Sequence, residues 1–175
     1  MKRMAPSVLP DSLRSGLKIV FVGTAAGHRS AAVGAYYAHP GNKFWRTLHE
    51  VGLTDRLWRP AEYAALLDRG VGFTDLAKHA SGMDHQIAKA SFDAAALLSK
   101  LAHFSPRIVA FTSKRAASLA LRQPARRIEI GPQDSQLLPS TLSFVLPSPS
   151  GAAVRYWSIE PWRELAAAVL SPTKG

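Results

Sequence analysis

The stretch GTAAG, residues 23–27, is the first place along the chain where backbone groups could do chemistry. Gly23 and Gly27 flank small residues directly after an apolar run, which is typical of a tight turn whose amide N–H groups face a carbonyl or an anion. The stretch lacks the patterns of dinucleotide, Walker-type phosphate and esterase loops, namely G-x-G-x-x-G, G-K-[ST] and G-x-S-x-G. We therefore predict that a ligand contacts the backbone of Gly23, Thr24, Ala25, Ala26 and Gly27.

Aromatic and polar side chains follow at residues 35–42, AYYAHPGN. A tyrosine ring there could stack on a flat heterocycle, although at least one of Tyr36 and Tyr37 is expected to pack against the sheet. His28 and His39 lie in the same candidate stretch. No histidine pair has the i, i+4 spacing of a zinc protease and no carboxylate joins them in a ligand pattern, so we expect no metal. The remaining histidines are expected on the surface: His49, His79, His85 and His103.

A second candidate loop is LPSPSGAAVRYW, residues 146–157. Its serines, prolines and glycine make a stiff backbone that a phosphate chain can approach closely, and Arg155 and Tyr156 follow within reach. An ordinary connection between a strand and a helix remains the alternative interpretation of this loop.

Charge and composition limit the function classes. Twenty-two Lys and Arg against twelve Asp and Glu give a net charge of +10, and residues 114–127 hold five basic residues and no acidic one. Such an excess favours a polyanionic partner, although a generic solubilising surface gives the same count. The absence of cysteine excludes disulfides, thiolate zinc sites and cysteine-ligated iron–sulfur clusters. No apolar run approaches 18 residues, so we expect no membrane span and a cytoplasmic location.

Four apolar runs are predicted to be buried strands, at residues 18–22, 71–74, 107–111 and 142–146. Helical patterns are predicted at residues 42–51, 60–68, 91–102, 113–121 and 161–170. Alternation of strands and helices predicts an α/β fold, a three-layer α/β/α sandwich with a mostly parallel four-stranded sheet. We expect one domain over 17–171, a flexible lead-in over 1–16 and a short tail over 172–175. The site is expected at the carboxyl ends of the strands.

Together these loops resemble those of the uracil-DNA glycosylase superfamily, and most closely those of the mismatch-specific uracil and thymine-DNA glycosylases. GTAAG corresponds to the family's G-I-N-P-G loop, and YAHPGNKFW at 37–45 resembles F-A-H-P-x-N-R-F-W. GVGFTDLA at 70–77 and LPSPSGA at 146–152 are similar to the family's later motifs, so the resemblance runs in order from residue 18 to residue 170.

The resemblance implies hydrolysis of the N-glycosidic bond of uracil or another deaminated base in DNA, after the nucleotide is flipped into a pocket. Tyr37 would stack on the base, and the first-loop amides would hold its carbonyl and stabilise the departing anion. The last loop would bind phosphates and fill the gap in the duplex. It also implies a monofunctional, monomeric enzyme that needs no cofactor. The residues assigned to DNA binding are Ser150, Gly151, Ala152, Arg155 and Tyr156, with Ser148 near the base.

Three positions depart from the family pattern. The asparagine of G-I-N-P-G, which orients the attacking water, is Ala25, and a methyl group can neither donate nor accept a hydrogen bond. The Asn or Met of the last motif is Ser148. The intercalating leucine is Ala152, which is a short wedge, so that Arg155 or Tyr156 is expected to insert instead.

Another residue must therefore orient or activate the attacking water. Asn42 is the first candidate, because this chain resembles the hypoxanthine-DNA glycosylase branch in lacking a first-loop asparagine and having one in the later segment; the alternative is that Asn42 only caps a helix. Asp75 is the second, as a carboxylate at a strand end that could accept a hydrogen bond from water or merely cap the following loop. His28 and His39 are third, as polarisers of the base.

Two other functions remain open from the sequence. Ala25 would also suit a non-catalytic protein that binds lesions or abasic sites on a glycosylase scaffold. A nucleoside-processing enzyme is a more remote alternative, since the net charge of +10 and the lack of metal ligands argue against it.

Overall fold

A computed structural model describes residues 6–134 and 137–172 of the chain. Within them, a five-stranded sheet has the order β2-β1-β3-β5-β4. Its strands are β1 (Ile19–Ala26), β2 (Val71–Ser81), β3 (Ile108–Phe111), β4 (Gly131–Pro132) and β5 (Leu142–Val145). All pairings are parallel except that of β4 with β5. The predicted α/β sandwich is confirmed.

The sheet has five strands rather than the predicted four. The additional strand, β4, is only Gly131–Pro132, and it lies antiparallel at the edge, against Val145 and Phe144. Sequence patterning missed it because a two-residue strand containing proline has no apolar alternation, and proline is tolerated only at such an edge.

Helices cover both faces of the sheet because side chains alternate along each strand. Ile19 and Phe21 of β1 belong to one apolar core, with Trp162 at its centre. Val20 and Val22 belong to the other core. The α-helices are α1 (His28–Val33), α2 (Phe44–Glu50), α3 (Ala94–Phe104), α4 (Lys114–Leu121) and α5 (Glu160–Leu170). The first core packs on α2 and α5, and the second on α3 and α4.

Several helix boundaries differ from those predicted. The six-residue α1 was not predicted, and Pro60–Arg69 is a 3-10 helix rather than an α-helix. The predicted helix over 42–51 begins only at Phe44, and the one over 91–102 at Ala94. Capping explains the last case, because the Asp93 side chain accepts the N–H of Ala96 and so starts α3 after it. Shorter 3-10 helices occupy Asp84–Gln86, Lys89–Ser91, Ala125–Arg127 and Gly151–Tyr156.

Strands β1 and β2 extend beyond their neighbours at the carboxyl edge. β1 continues to Ala26, with Gly23 opposite Asp75 and a bulge after Ala25, whereas β3 ends at Phe111. Most of the predicted loop 23–27 is therefore strand. Its backbone stays extended because β2 continues alongside it and pairs with it. The projecting β1–β2 ribbon forms the floor of a cavity.

The N-terminal segment runs along the outer edge of β2. The N–H of Val8 donates to the carbonyl of Lys78, at 2.7 Å, and Ser12 forms an antiparallel bridge with Phe73. Leu9 is buried in the first core. The described part of the predicted lead-in thus contacts the sheet, whereas residues 1–5 of it, and 173–175 of the predicted tail, lie outside the described residues. In the ranges 6–134 and 137–172, no helix has the length and apolarity needed to cross a membrane.

Candidate active site

A cavity of about 610 Å³ opens where the β1–β2 ribbon passes the end of β3. It gathers residues from segments that are far apart in the chain. Of the sequence-predicted residues it is lined by Gly23, Thr24, Ala25, Ala26, Gly27, His28, Tyr37, His39, Asn42, Asp75, Ser148, Ser150, Gly151 and Ala152. Arg155 and Tyr156 do not line it.

Asp75 lies in the floor of the cavity. It is within β2 rather than at a strand end as predicted, because β2 continues to Ser81. The residue is 5% exposed, and no side-chain hydrogen bond among the described residues reaches its carboxylate. Burial raises the pKa of Asp75 to about 6, because an ionised carboxylate loses hydration there. A basic, unpartnered carboxylate in a cavity can accept a proton near neutral pH.

Gly23 makes room for that carboxylate. A Cβ at position 23 would lie 2.5 Å from Asp75 Oδ1 and 3.4 Å from Tyr37 Oη. The absence of a side chain therefore lets both polar groups lie against the β1 backbone.

Tyr37 forms a wall of the same cavity in a constrained conformation. Its φ of 53° is in the left-handed region, which a bulky residue rarely adopts. One face of its ring stacks on Phe44, with centroids 4.0 Å apart and an interplanar angle of 15°. The Tyr37 and Thr112 hydroxyls share a hydrogen bond of 3.1 Å. Burial raises the pKa of the Tyr37 phenol, which is therefore protonated at neutral pH.

Its neighbour Tyr36 packs inward, as expected for one of the two rings. Tyr36 is 2% exposed, and its ring stacks on Phe73 with centroids 5.3 Å apart. Tyr36 nevertheless contributes to the cavity lining.

Asn42 caps the first turn of α2, which is the role that the alternative interpretation of this residue gave it. Its Oδ1 accepts the N–H of Phe44 at 2.9 Å, while no described residue accepts from its side-chain amide. Since the capping bond fixes the oxygen toward the helix, the amide nitrogen can donate to a ligand. An amide is a poor proton acceptor, so this geometry favours Asp75 over Asn42 as the group that takes a proton from water.

The two candidate histidines lie at the cavity mouth. His28 Nε2 is 3.1 Å from Gln86 Oε1. His39 Nδ1 accepts the N–H of Gly41 at 2.9 Å, so in the neutral ring Nε2 carries the proton. Both side chains are exposed.

Backbone N–H groups of β1 also face the cavity. The carbonyl of Val22 accepts from Thr112 N–H at 3.0 Å, so this residue faces β3. Two residues further, Thr24 faces the same side but lies beyond the end of β3. Its N–H therefore has no β3 residue beside it and could donate to a carbonyl or an anion; that a ligand contacts it stays a prediction.

One wall was missed by sequence reasoning. The segment after β2 contributes Met83, Asp84 and His85, and the Asp84 carboxylate accepts the Thr24 hydroxyl at 2.6 Å. The predicted strand ended at residue 74, seven residues too early, so this segment was not expected at the edge. Thr112 could have been found, because it directly follows the third apolar run; Arg29 and Ser113 also line the cavity.

The last loop is fastened to the turn before α2. Pro149 O accepts the N–H of Lys43 at 2.8 Å, and a Cβ at Gly151 would lie 3.1 Å from Gly41 O. Within the loop, Ser148 Oγ accepts Ser150 N–H and Ser150 Oγ accepts Ala152 N–H, both at 3.3 Å.

Arg155 and Tyr156 project beside the cavity, in the 3-10 helix Gly151–Tyr156. Tyr156 is 78% exposed, and Arg155 Cζ is 5.7 Å from its ring centroid. Both are exposed, and neither lines the cavity. Among residues 6–134 and 137–172, no group of three or more His, Cys, Asp or Glu is arranged to hold a metal ion.

Fold and site together define an α/β protein whose parallel strands open, at their carboxyl edge, into a cavity with a carboxylate and an aromatic wall. The sequence model of the Uracil DNA glycosylase superfamily matches residues 10–168, and the chain belongs to that superfamily. The fold is also similar to the solution NMR structure of a "putative Uracil DNA glycosylase" from Methanosarcina acetivorans. That match has a TM-score of 0.65 and 22% sequence identity, and it covers 93% of this chain and 97% of that chain.

Proposed function

We propose that this chain is a monofunctional DNA glycosylase that removes uracil, and other deaminated bases, from DNA and leaves an abasic site. Membership of the superfamily supports the glycosylase class and DNA as the partner. The observation that carries the proposal is the buried Asp75 carboxylate, which faces the cavity beside Gly23 without a hydrogen-bond partner among the described residues.

In the proposed reaction Asp75 acts as the general base. The oxygen of a water molecule bonds to C1′ of the sugar while the bond from C1′ to the base nitrogen breaks. The bonding pair leaves with the base, and the proton of the water passes to the Asp75 carboxylate. The base anion then takes a proton from solvent. A positioned general base contributes roughly 10²–10⁴-fold to such a step.

The flipped base is proposed to lie against Tyr37, whose ring is supported from behind by Phe44. The Thr24 N–H would stabilise the negative charge that develops on the base carbonyl. The Asn42 amide would donate to the same base, which is how this chain would use the asparagine that it shares with the hypoxanthine-DNA glycosylase branch. His28 and His39 would polarise the base from the mouth.

The duplex is proposed to lie across the last loop. Ser148, Ser150, Gly151 and Ala152 would follow the phosphate backbone, and Arg155 or Tyr156 would enter the gap left by the flipped nucleotide. A single chain contains every group in this scheme, so we propose that the enzyme acts as a monomer.

One observation favours a second function. Ala25 lines the cavity at the position where the family pattern has its water-orienting asparagine. A protein without turnover that binds lesions or abasic sites would need no such group.

Base release separates the two functions. Wild-type protein would be incubated with oligonucleotides that contain uracil, hypoxanthine or xanthine, single-stranded and mismatched, and abasic product would be measured. Abasic product from the uracil substrate supports the glycosylase. Tight binding to abasic DNA with no product from any substrate would establish the binding protein instead.

A further inference from the structure

A partly buried group of charges lies at the edge of β2. Asp11, from the N-terminal segment, accepts from Lys78 Nζ at 3.0 Å, from Lys100 Nζ at 2.6 Å and from the Thr74 hydroxyl at 2.7 Å. Three separate parts of the chain thus meet there: the N-terminal segment, β2 and α3. Burial opposes ionisation of Asp11, but the hydrogen bonds from Lys100 and Thr74 and the charge of Lys78 hold its pKa below the usual value.

Lys78 connects this group to the site. Its side chain is only 10% exposed, and its Nζ donates both to Asp11 and, at 3.0 Å, to the Tyr36 hydroxyl. Tyr36 lines the cavity and donates in turn to Pro10 O at 3.1 Å. Lys78 is three residues beyond Asp75 on the same strand, a separation of roughly 10 Å along β2. That figure is the spacing of the two Cα atoms. Because both side chains have little exposure, the charge of Lys78 acts on the Asp75 carboxylate with less screening than it would in water.

The charges around Asp75 oppose one another. Lys78 and Lys100 favour its ionised form, whereas Asp11 and Asp84 favour its protonated form. The remaining titratable groups that line the cavity are Tyr36, Tyr37, His28, Arg29, His39 and His85. Arg29 carries a charge, but the charges that act on Asp75 are those of the two lysines and the two aspartates. Both tyrosines are neutral phenols, since burial raises the pKa of each. The two lysines are therefore the cations that offset the loss of hydration at Asp75.

We propose that Lys78, held by Asp11 of the N-terminal segment, is a positioning residue that keeps the Asp75 carboxylate ionised for catalysis. Since this inference rests on the proposed function, it concerns how the base is maintained and not whether the chain is a glycosylase. It also gives the N-terminal segment a role in the reaction, because that segment supplies the group that fixes Lys78.

A purely structural role for the group predicts a different result. If Asp11, Lys78 and Lys100 only fastened the N-terminal segment, each substitution would lower the stability and leave the pH dependence of base release unchanged. An electrostatic role predicts shifts of opposite sign for the two kinds of charge.

The test is the single-turnover rate of uracil release, measured against pH for wild type, Lys78→Met and Asp11→Asn. Loss of the cation in Lys78→Met moves the acid limb of the profile to higher pH, by roughly 0.5 to 1 unit. Asp11→Asn loses the anion but keeps a side-chain oxygen that can accept from Lys78 Nζ, so the ammonium stays in place and the limb moves to lower pH. Lys78→Arg keeps the charge and restores the wild-type limb. If Lys78→Met does not fold, Lys100→Met, which moves the limb in the same direction, replaces it.

The outcomes are distinguishable. No uracil release by wild type would refute the proposed function itself. If wild type releases uracil, two results would overturn the role of Lys78 and leave the glycosylase function intact. In one, the acid limbs of all variants coincide; in the other, the limb shifts in the same direction for Asp11→Asn as for Lys78→Met or Lys100→Met.

Discussion

At the scale of single residues, the burial that makes Asp75 a candidate base also makes its carboxylate unfavourable for stability. A carboxylate with 5% exposure and no hydrogen-bond partner among the described residues loses hydration that the nearby lysines offset only in part. Its native pKa of about 6 lies above the ordinary value of 3.8. Between those values the native chain keeps a proton that the unfolded chain has released. The free energy of unfolding therefore falls as the pH rises through this window, and the loss is complete above pH 6.

Substitution of Asp75 by asparagine is therefore expected to stabilise the fold while it removes the base. At neutral pH the gain is roughly 1 to 3 kcal/mol, and each kcal/mol corresponds to about 2–4 °C in a domain of this size. Thermal unfolding of Asp75→Asn and wild type, followed from acid to neutral pH, checks this expectation. If the difference in melting temperature between the two proteins did not decrease toward acid pH, burial of the ionised Asp75 carboxylate would not be what lowers stability.

Gly23 allows Asp75 and Tyr37 to approach the strand backbone. Gly23→Ala places a methyl carbon 2.5 Å from Asp75 Oδ1, so the carboxylate has to move. We expect base release to slow at least about tenfold, because small misplacements of reacting groups are costly. Gly27→Ala adds the same methyl group at another glycine of the cavity lining, where it meets no atom of the chain within 4 Å and the φ is −67°; Asp75 keeps its place, so base release should slow less. Equal rates for the two variants would contradict this account of Gly23.

At the scale of elements, the turn between α1 and α2 holds the aromatic wall. Tyr37 adopts a φ of 53° there, at a cost of about 1–3 kcal/mol for a residue of this kind. The stack on Phe44 and the hydrogen bond to Thr112 hold it in place.

Two substitutions of Tyr37 separate the ring from its hydroxyl. Tyr37→Phe removes the bond to Thr112 and keeps the ring, so only a few-fold loss of base release is expected. Tyr37→Ala also removes the stacking surface, which is worth about 1–3 kcal/mol per base, and binding of uracil-containing DNA should weaken tenfold or more. Equal affinities for the two variants would exclude a stacking role.

The elements also show what could be predicted from the sequence. Apolar runs identified the four parallel strands, because buried parallel strands are hydrophobic on both faces. The ends of β1 and β2 could not be predicted, because the residues beyond Val22 and Thr74, apart from Leu76, are small or polar and continue the strands by pairing with one another. The fold class predicted that the motif loops would meet at the carboxyl edge of the sheet, because the parallel strands all end there. No local sequence pattern marks Asp84 as a cavity residue. Whether Asp75 has a hydrogen-bond partner depends on how distant segments pack around it, and no single stretch of sequence specifies that.

At the scale of the whole molecule, the net charge of +10 predicts binding to DNA that depends strongly on salt. Arg155, exposed beside the cavity, is expected to neutralise a phosphate or enter the gap. Arg155→Gln should weaken binding and reduce the slope of log K against log salt by about one. Lys18→Gln changes the same charge at the opposite end of β1 and should leave the slope nearly unchanged. Equal slopes for the two variants would place the DNA on another surface.

If Asp75 takes the proton of the attacking water, the single-turnover rate of uracil release at neutral pH depends on its carboxylate. Asp75→Asn should bind uracil-containing DNA but release the base roughly 10²–10⁴-fold more slowly than wild type. Asn42→Ala, which loses a donor and a helix cap, should slow release less. A rate for Asp75→Asn equal to that of wild type would contradict the account.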